Sequence, residues 1–343
     1  MQHGQAALPW VVRLHRLAKA EAQPQFDALR AAARGANLIV SGGSQLAVSS
    51  VAEVLGIRHR SVVYCPQMFP SQRHPPMTVS WSGAPRWVRR IGRRYFMGIY
   101  NRTVHSAVTA CRRRAGLPAR HDEFTANFLT HPLLACDSEL APAPPDCQLA
   151  FDQVGYLHLP DDVESLPDSL KAFLDAGRPP VYIGFGSTTP LPPTALTRLI
   201  VDAVRLAGCR AVVSSGWAGI GGTAPTSIYF AGAVSHAELF PHVAAIVHHG
   251  GAGTTASAAR SGKPQMILPA RLYDKAFWRA QVVDRGIGIW APAPKNLTVP
   301  RFASLLNRVM SDSETAQRAN VLGHTLRRRD AVTAAVQVLE RCE

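Results

Sequence analysis

Two glycine-rich turns, each directly behind an apolar strand, restrict the fold of this chain more than any other feature. The first is Val181-Tyr-Ile-Gly-Phe-Gly-Ser-Thr-Thr189, and the second is Ala244-Ala-Ile-Val-His-His-Gly-Gly-Ala-Gly-Thr-Thr255, which runs straight into a helix. Glycines at a strand-to-helix turn let backbone amides approach an anion closely, and the helix N-terminus adds unpaired N–H groups and the positive end of its dipole. Thr254 and Thr255 supply hydroxyls as caps or phosphate donors, and His249 supplies an imidazole. The plain structural alternative is that the glycines only serve tight turns. Two such turns in one sheet favour a diphosphate-binding doubly wound α/β domain.

Around these turns the alternation is regular. Strands are expected at Val181–Phe185, Ala211–Ser214, Ile228–Phe230, Ala244–Val247 and Gln265–Leu268, with helices at Thr194–Ala207 and Thr254–Ser261. Upstream, strand Leu38–Val40, helix Gln45–Leu55 closed by Gly56, and strand Val62–Tyr64 form a βαβ unit, the mark of a parallel sheet. A proline-rich loop, Pro66 to Pro76, and a long basic helix from Pro85 to Ala115 follow. The Pro-, Asp- and Gly-rich stretch 155–180 reads as the domain boundary, giving domains 1–158 and 159–343.

A competing motif is Gly251-Ala-Gly253-Thr-Thr-Ala256, which fits the dinucleotide pattern Gly-x-Gly-x-x-Ala, with Asp274 about twenty residues on. In that pattern the acid sits at the tip of the next strand, whereas Asp274 lies beyond the strand that ends near Leu268-Pro269. A dinucleotide-dependent oxidoreductase is therefore the third reading. No Gly-Lys-Ser/Thr closes either loop, so a Walker-type phosphate site is absent.

Phe240-Pro-His-Val-Ala-Ala-Ile-Val-His-His-Gly-Gly-Ala-Gly-Thr-Thr, Gly262-Lys-Pro-Gln-Met-Ile-Leu-Pro and Asp274-Lys-Ala-Phe-Trp resemble the donor signature of the UDP-glycosyltransferase superfamily, nearest its bacterial and sterol-glycosylating branches. Phe173-Leu-Asp-Ala-Gly-Arg-Pro-Pro-Val181 resembles the bacterial rhamnosyltransferases of that superfamily. The resemblance implies a GT-B fold of two facing Rossmann-like domains and inverting transfer without a metal or other cofactor, the NDP-sugar (UDP- or dTDP-) being a co-substrate. It implies that Ser187, His249, Gly251, Gly253 and Thr254 hold the diphosphate, that Trp217 and Val234 flank the base, and that Asp274 meets sugar hydroxyls. The family usually has Asp-Gln where this chain has Asp274-Lys275, and Lys offers only a charged donor. The plain readings are that Trp217 is core, that His248 is a packed or capping residue, and that His236 and His242 are helix caps or surface groups.

Family members begin with a strand and a glycine turn carrying the catalytic base, a His or Asp. Here the first recognisable strand, Leu38–Val40, matches a later one, so the N-terminal domain reads as truncated, and neither His3 nor His15 follows an apolar strand. His74, in Gln72-Arg-His-Pro-Pro76, is a conceivable substitute base, its plain reading being a surface loop residue. The expected activity is hexosyl transfer to a hydroxyl of a hydrophobic or lipid-like acceptor. The alternative is a catalytically weak donor-binding or partner-binding protein.

Net charge is +14, and nine arginines with no acidic residue lie between Arg86 and Arg114. Trp87, Ile91 and Tyr95 recur at i, i+4 and i+8, with Val88 widening the stripe and arginines 86, 89, 90, 93 and 94 around it, the pattern of an interfacial helix on an anionic membrane. The plain reading is that the stripe packs on the sheet and the arginines face water. No recognised nucleic-acid module accompanies the charge, so nucleic acid is not the expected partner. No apolar run reaches a membrane-spanning length and the N-terminus is a poor signal peptide, so a cytoplasmic address, possible periphery to the membrane included, is expected. The six cysteines form no Cys-x-x-Cys pair and read as reduced.

Overall fold

A computed structural model describes residues 10–43, 45–74, 85–158, 165–186, 191–216, 219–222, 225–268, 274–292 and 296–341. The chain divides into two compact units. The first comprises Met1–Ala135, Ala143–Val154 and Gln337–Glu343, and the second Cys136–Pro142 and Gly155–Val336.

In the first unit the order is α1 (Trp10–Ala32), β1 (Leu38–Gly42), α2 (Val48–Leu55), β2 (Arg58–Val63), α3 (Arg86–Arg114), α4 (Glu123–Phe128), β3 (Leu133–Leu134) and β4 (Asp152–Gln153). The strands form one parallel sheet in the order β1-β2-β3-β4. Gly56 closes α2 in the left-handed conformation (φ 64°), as its position predicts. Strand β2 begins four residues before the expected Val62. Its start is disguised by charge, because buried Arg60 pairs with Asp152 at 2.6 Å and so supports a position that periodicity alone assigns to a loop. Helix α1 also escaped the sequence reading. Among the described residues its buried face is only Ala18, Ala22 and Phe26, one residue per turn, and the helix is laid against α3.

Helix α3 runs as expected, but its faces divide differently from the expectation. Trp87, Ile91 and Tyr95 are 64%, 57% and 63% exposed, so the stripe is not packed on the sheet of this unit. Arg86, Arg90 and Arg94 are exposed beside it. Arg89 and Arg93 do not ring the stripe. Arg89 donates to the carbonyls of Gln72 and Arg73, and Arg93 to that of Met68 at 3.4 Å, so both turn toward the loop before the helix. Arg89 and Arg93, four residues apart, share the face of α3 that meets this loop.

The second unit follows as α5 (Asp168–Asp175), β5 (Val181–Gly184), α6 (Pro193–Ala207), β6 (Ala211–Ser214), β7 (Ile228–Ala231), α7 (His236–Leu239), β8 (Ala245–His248), α8 (Ala252–Ser261), β9 (Gln265–Ile267), α9 (Lys275–Asp284), β10 (Gly288–Trp290), α10 (Val299–Ser311), α11 (Ser313–Arg327) and the start of α12 (Ala331–Glu340), whose residues from Gln337 on belong to the first unit. Its six strands are parallel in the order β10-β9-β8-β5-β6-β7. Numbered along this unit, that is the doubly wound order 3-2-1-4-5-6 read from its other edge. Both faces are covered: Ile183, Val213 and Val247 join α6 and α10 on one side, and Tyr182, Val212 and Ile246 join α5, α7 and α8 on the other. Strands buried on both faces read as continuous apolar runs, which is why their sequence signal was strong. The short β10 was not expected.

Cys65, Cys111, Cys136, Cys147 and Cys209 are free thiols. Among the described residues no helix is long and apolar enough to cross a membrane.

Candidate functional site

The chain reverses direction across the sheet between β5 and β8, which lie side by side. In parallel sheets ligands bind outside the carboxyl ends of the strands at such a switch point. Both glycine turns leave from these two strand ends. A Cβ added to Gly186, behind β5, would stand 3.6 Å from the imidazole of His249, behind β8, so the turns touch.

The second turn is shaped by sterics. Gly250 has φ 85°, which L side chains rarely adopt, and a Cβ there would meet Ile267 at 3.0 Å. A Cβ on Gly251 would lie 2.6 Å from His249 Nε2, and one on Gly253 would lie 2.8 Å from the hydroxyl of Tyr156. Thus Gly251 and Gly253 leave room for an imidazole and a phenol. Tyr156, which covers the first turn of α8, was missed by the sequence reading, because nothing local in Gly155-Tyr-Leu-His158 points to it.

Helix α8 starts behind Gly251 with no side-chain cap, and its first backbone bond runs from Thr255 N to Gly251 O. The N–H groups of Ala252, Gly253 and Thr254 therefore have no partner within the helix and carry its positive dipole end. Thr255 is buried and its hydroxyl donates to Gly251 O at 2.8 Å, so it serves the helix. Thr254 is half-buried and its hydroxyl makes no hydrogen bond among the described residues.

The two histidines have opposite environments. His248 is buried, with Nε2 2.9 Å from Gln265 Oε1 and Nδ1 accepting from Gly250 N at 3.1 Å, so it braces the turn. His249 has no hydrogen-bond partner at either nitrogen among the described residues, and its Nδ1 is buried. Burial, with Lys275 adding to it, holds its pKa down at about 4, so the ring is neutral near pH 7.

His248 gives a pH test. Burial pushes its pKa from 6.5 down to about 3, against the Gln265 hydrogen bond. Above pH 6.5 both folded and unfolded forms are neutral there. As pH falls below 6.5 the unfolded chain takes up the proton first, so stability drops by about 1.4 kcal/mol per pH unit for this one site until the folded pKa is reached. Urea unfolding between pH 6.5 and 4.5 should show a slope shallower by that amount in His248→Gln, and an unchanged slope would contradict the assignment.

Asp274 precedes α9, and its Oδ2 accepts from Trp278 Nε1 at 3.0 Å, which fixes the carboxylate one helical turn from the indole. Burial raises its pKa, with the Trp278 bond opposing. Lys275 is buried, its pKa lowered by burial, and its carbonyl lies 3.6 Å from where a Gly250 Cβ would stand. The structure therefore brings His249, Gly251, Gly253, Thr254 and Lys275 to one corner, with Asp274 next to Lys275.

Ser187 and Trp217 lie outside the described residues. Val234 is half-buried in the loop after β7, three strands from β8, which is about 14 Å along the carboxyl edge of the sheet. It also lines a cavity of about 1290 Å³ with Tyr156, His158, Arg260 and Lys263, which includes neither His249 nor Asp274. His236 stacks on Phe240 at 4.3 Å and meets Tyr182 Oη at 3.2 Å, so it is a packing residue, while His242 is exposed. His74 belongs to the first unit, where its N–H donates to Ser71 Oγ and burial lowers its pKa.

A family model for the Erythromycin biosynthesis protein CIII-like, C-terminal domain, matches residues 217–339. The chain is 37% identical over 331 residues to the vancomycin aglycone glucosyltransferase of Amycolatopsis orientalis, covering 92% of this chain and 77% of that protein. It is 35% identical over 203 residues to the sterol 3-beta-glucosyltransferase UGT80A2 of Arabidopsis thaliana, covering 58% of this chain and 31% of that one. The fold is similar to that of the glycosyltransferase VinC crystallised with dTDP, with a TM-score of 0.67, 22% identity, and coverage of 96% of this chain and 79% of that chain.

Proposed function

Since the chain belongs to the UDP-glycosyltransferase superfamily and is a glycosyltransferase of GT-B fold that uses NDP-sugar donors, we propose that it transfers the sugar of a UDP- or dTDP-sugar to a hydroxyl of a hydrophobic acceptor, with inversion. The observation that carries this reading is the corner where both glycine turns meet, with an α8 N-terminus that has no side-chain cap and a His249 that has no hydrogen-bond partner among the described residues. VinC was crystallised with dTDP, and the relatives named above are a glucosyltransferase of vancomycin aglycone and one of sterols.

In this mechanism the acceptor oxygen attacks the anomeric carbon from the face opposite the diphosphate. The C–O bond to the diphosphate breaks, and the acceptor proton passes to a base. The three free N–H groups of α8 and the neutral imidazole of His249 take up the charge that develops on the leaving diphosphate. Such preorganised donors favour the transition state over the bound donor, because that charge grows as the bond breaks.

Asp274 would meet sugar hydroxyls, and Lys275 beside it would add a charged donor. Calorimetry with UDP- and dTDP-sugars and with free UDP and dTDP tests the assignment. Asp274→Ala should weaken NDP-sugar binding by about 1.5–3 kcal/mol, the range for hydrogen bonds to a charged group, and leave free nucleotide nearly untouched. Equal losses for both ligands would refute this and favour a ribose-binding acid. Product analysis in the same samples separates transfer from binding alone.

The exposed face of α3 suits an anionic membrane that presents a lipid-like acceptor. Trp87, Ile91 and Tyr95 form its apolar stripe and Arg86, Arg90 and Arg94 its charges. Each arginine near such a surface contributes about 1 kcal/mol, screened by salt. Co-sedimentation with phosphatidylserine vesicles should fall on raising salt and on replacing these three arginines by glutamine. Equal recovery with neutral vesicles, or none with either, would rule the surface out.

A further inference from the structure

Gly253 is a glycine that the backbone does not require. It lies within α8 and does not have a positive φ, and glycine inside a helix lowers its stability against alanine. What the missing side chain admits is the phenol of Tyr156. A Cβ at Gly253 would stand 2.8 Å from Tyr156 Oη and 3.8 Å from its Cζ. Cα–Cβ bonds of a helix tilt toward its N-terminus, so the hydroxyl stands beside the first turn of α8. There the N–H groups of Ala252, Gly253 and Thr254 leave the helix without a partner inside it.

The phenol is held in that place from its own backbone. Gly155 has φ 95°, and a Cβ on it would meet Asp137 Oδ1 and Ala331 Cβ, each at 3.1 Å. Tyr156 N donates to the same Oδ1 of buried Asp137 at 3.2 Å. The ring of His158 meets the phenol at 64°, with centroids 4.7 Å apart. A side chain fixed in this way loses little freedom when it takes up a ligand. Tyr156 is half-buried and lines the cavity of about 1290 Å³ that Val234 also lines, so a ligand in that cavity can reach it.

We propose that Tyr156 is a further donor-binding residue, whose hydroxyl donates a hydrogen bond to the diphosphate at the first turn of α8. This rests on the transfer reading and adds a residue to the same corner. A phenolic O–H on a charged phosphate oxygen makes a short, strong bond. Gly253 is then small for the sake of the ligand, since any side chain there would displace the hydroxyl that meets it.

Tyr156→Phe removes the hydroxyl alone. Calorimetry on the full chain should show the Kd of UDP or dTDP, whichever the chain binds tighter, raised roughly 10- to 100-fold, the range for a hydrogen bond to a charged group. Uridine and thymidine, followed by ligand-observed NMR, should bind the variant and the unaltered chain alike. An equal loss for the nucleosides would put the hydroxyl on the nucleoside and overturn the assignment. Scanning calorimetry without ligand tests the contact itself. Gly253→Ala should lower Tm in the otherwise unaltered chain, where its methyl meets the hydroxyl. In the Tyr156→Phe background it should raise Tm, because the Cζ at 3.8 Å leaves room and alanine favours the helix. An equal fall in both backgrounds would mean that the phenol does not need the glycine, and would overturn the proposal. Binding of neither UDP nor dTDP by the unaltered chain would overturn the transfer reading and this one with it. Undiminished UDP and dTDP affinity in Tyr156→Phe would overturn this one alone.

Discussion

His249→Ala is expected to weaken binding of UDP and dTDP by about 1.5–3 kcal/mol, or roughly 12- to 160-fold in Kd. The imidazole is neutral near pH 7 and lies against the first residues of α8 with no hydrogen-bond partner among the described residues, so its N–H is available to a diphosphate at the point where the helix dipole is most positive. The contact with Gly251 supplies a second route to the same effect. Gly251 has φ −73° and ψ 149°, values that alanine adopts freely, so Gly251→Ala leaves the backbone unstrained. Its methyl would nevertheless stand 2.6 Å from His249 Nε2, and the ring must swing away. Gly251→Ala should then lose nucleotide affinity to a degree close to that of His249→Ala, and the double variant should be little worse than either single one. Calorimetry on the four proteins decides the matter. Unchanged affinity in a folded His249→Ala protein would remove the residue from the site, and additive losses would mean that Gly251 acts without it.

Gly323→Ala should cost the second unit its stability by overpacking, at about 1–3 kcal/mol or more. Helix α11 crosses the end of α8 so closely that a Cβ on Gly323 would lie 2.6 Å from Gly262 Cα and 3.0 Å from Ala259 O. Both neighbours are backbone, and Gly262 itself holds the left-handed C-cap of α8 at φ 76°, so no rotamer change relieves the clash. In a unit of this size a loss of that order lowers Tm by roughly 2–12 °C. The same displacement pushes on the helix whose other end faces His249, so nucleotide affinity should fall with Tm. An unchanged Tm in scanning calorimetry would mean that the helices do not meet through glycine.

The sequence by itself determined the local rules of this molecule. The apolar runs at 181–184, 211–214 and 245–248 read as buried strands, because strands covered on both faces need no polar side. Gly56 was legible as a helix end, and the turns at 184–189 and 250–255 as strand-to-helix turns, since each depends on residues within one turn of chain. His249 was legible as a residue beside such a turn.

Tertiary structure alone decided what those pieces meet. Which strands are neighbours follows from the order β10-β9-β8-β5-β6-β7, and only that order sets the turns at Gly186 and Gly251 against each other. His248 and His249 are adjacent in sequence, yet one points to Gln265 in the neighbouring strand and the other to an open helix end. Gly251 and Gly253 are required to be small by an imidazole and by a phenol nearly a hundred residues away in sequence. The five arginines at the start of α3 look equivalent in a helical pattern, but the loop 68–73 claims Arg89 and Arg93 and leaves the other three to solvent. Apart from the Gly251–His249 contact, the deciding contact in each case joins residues well separated in the chain, and periodicity carries no information about such partners.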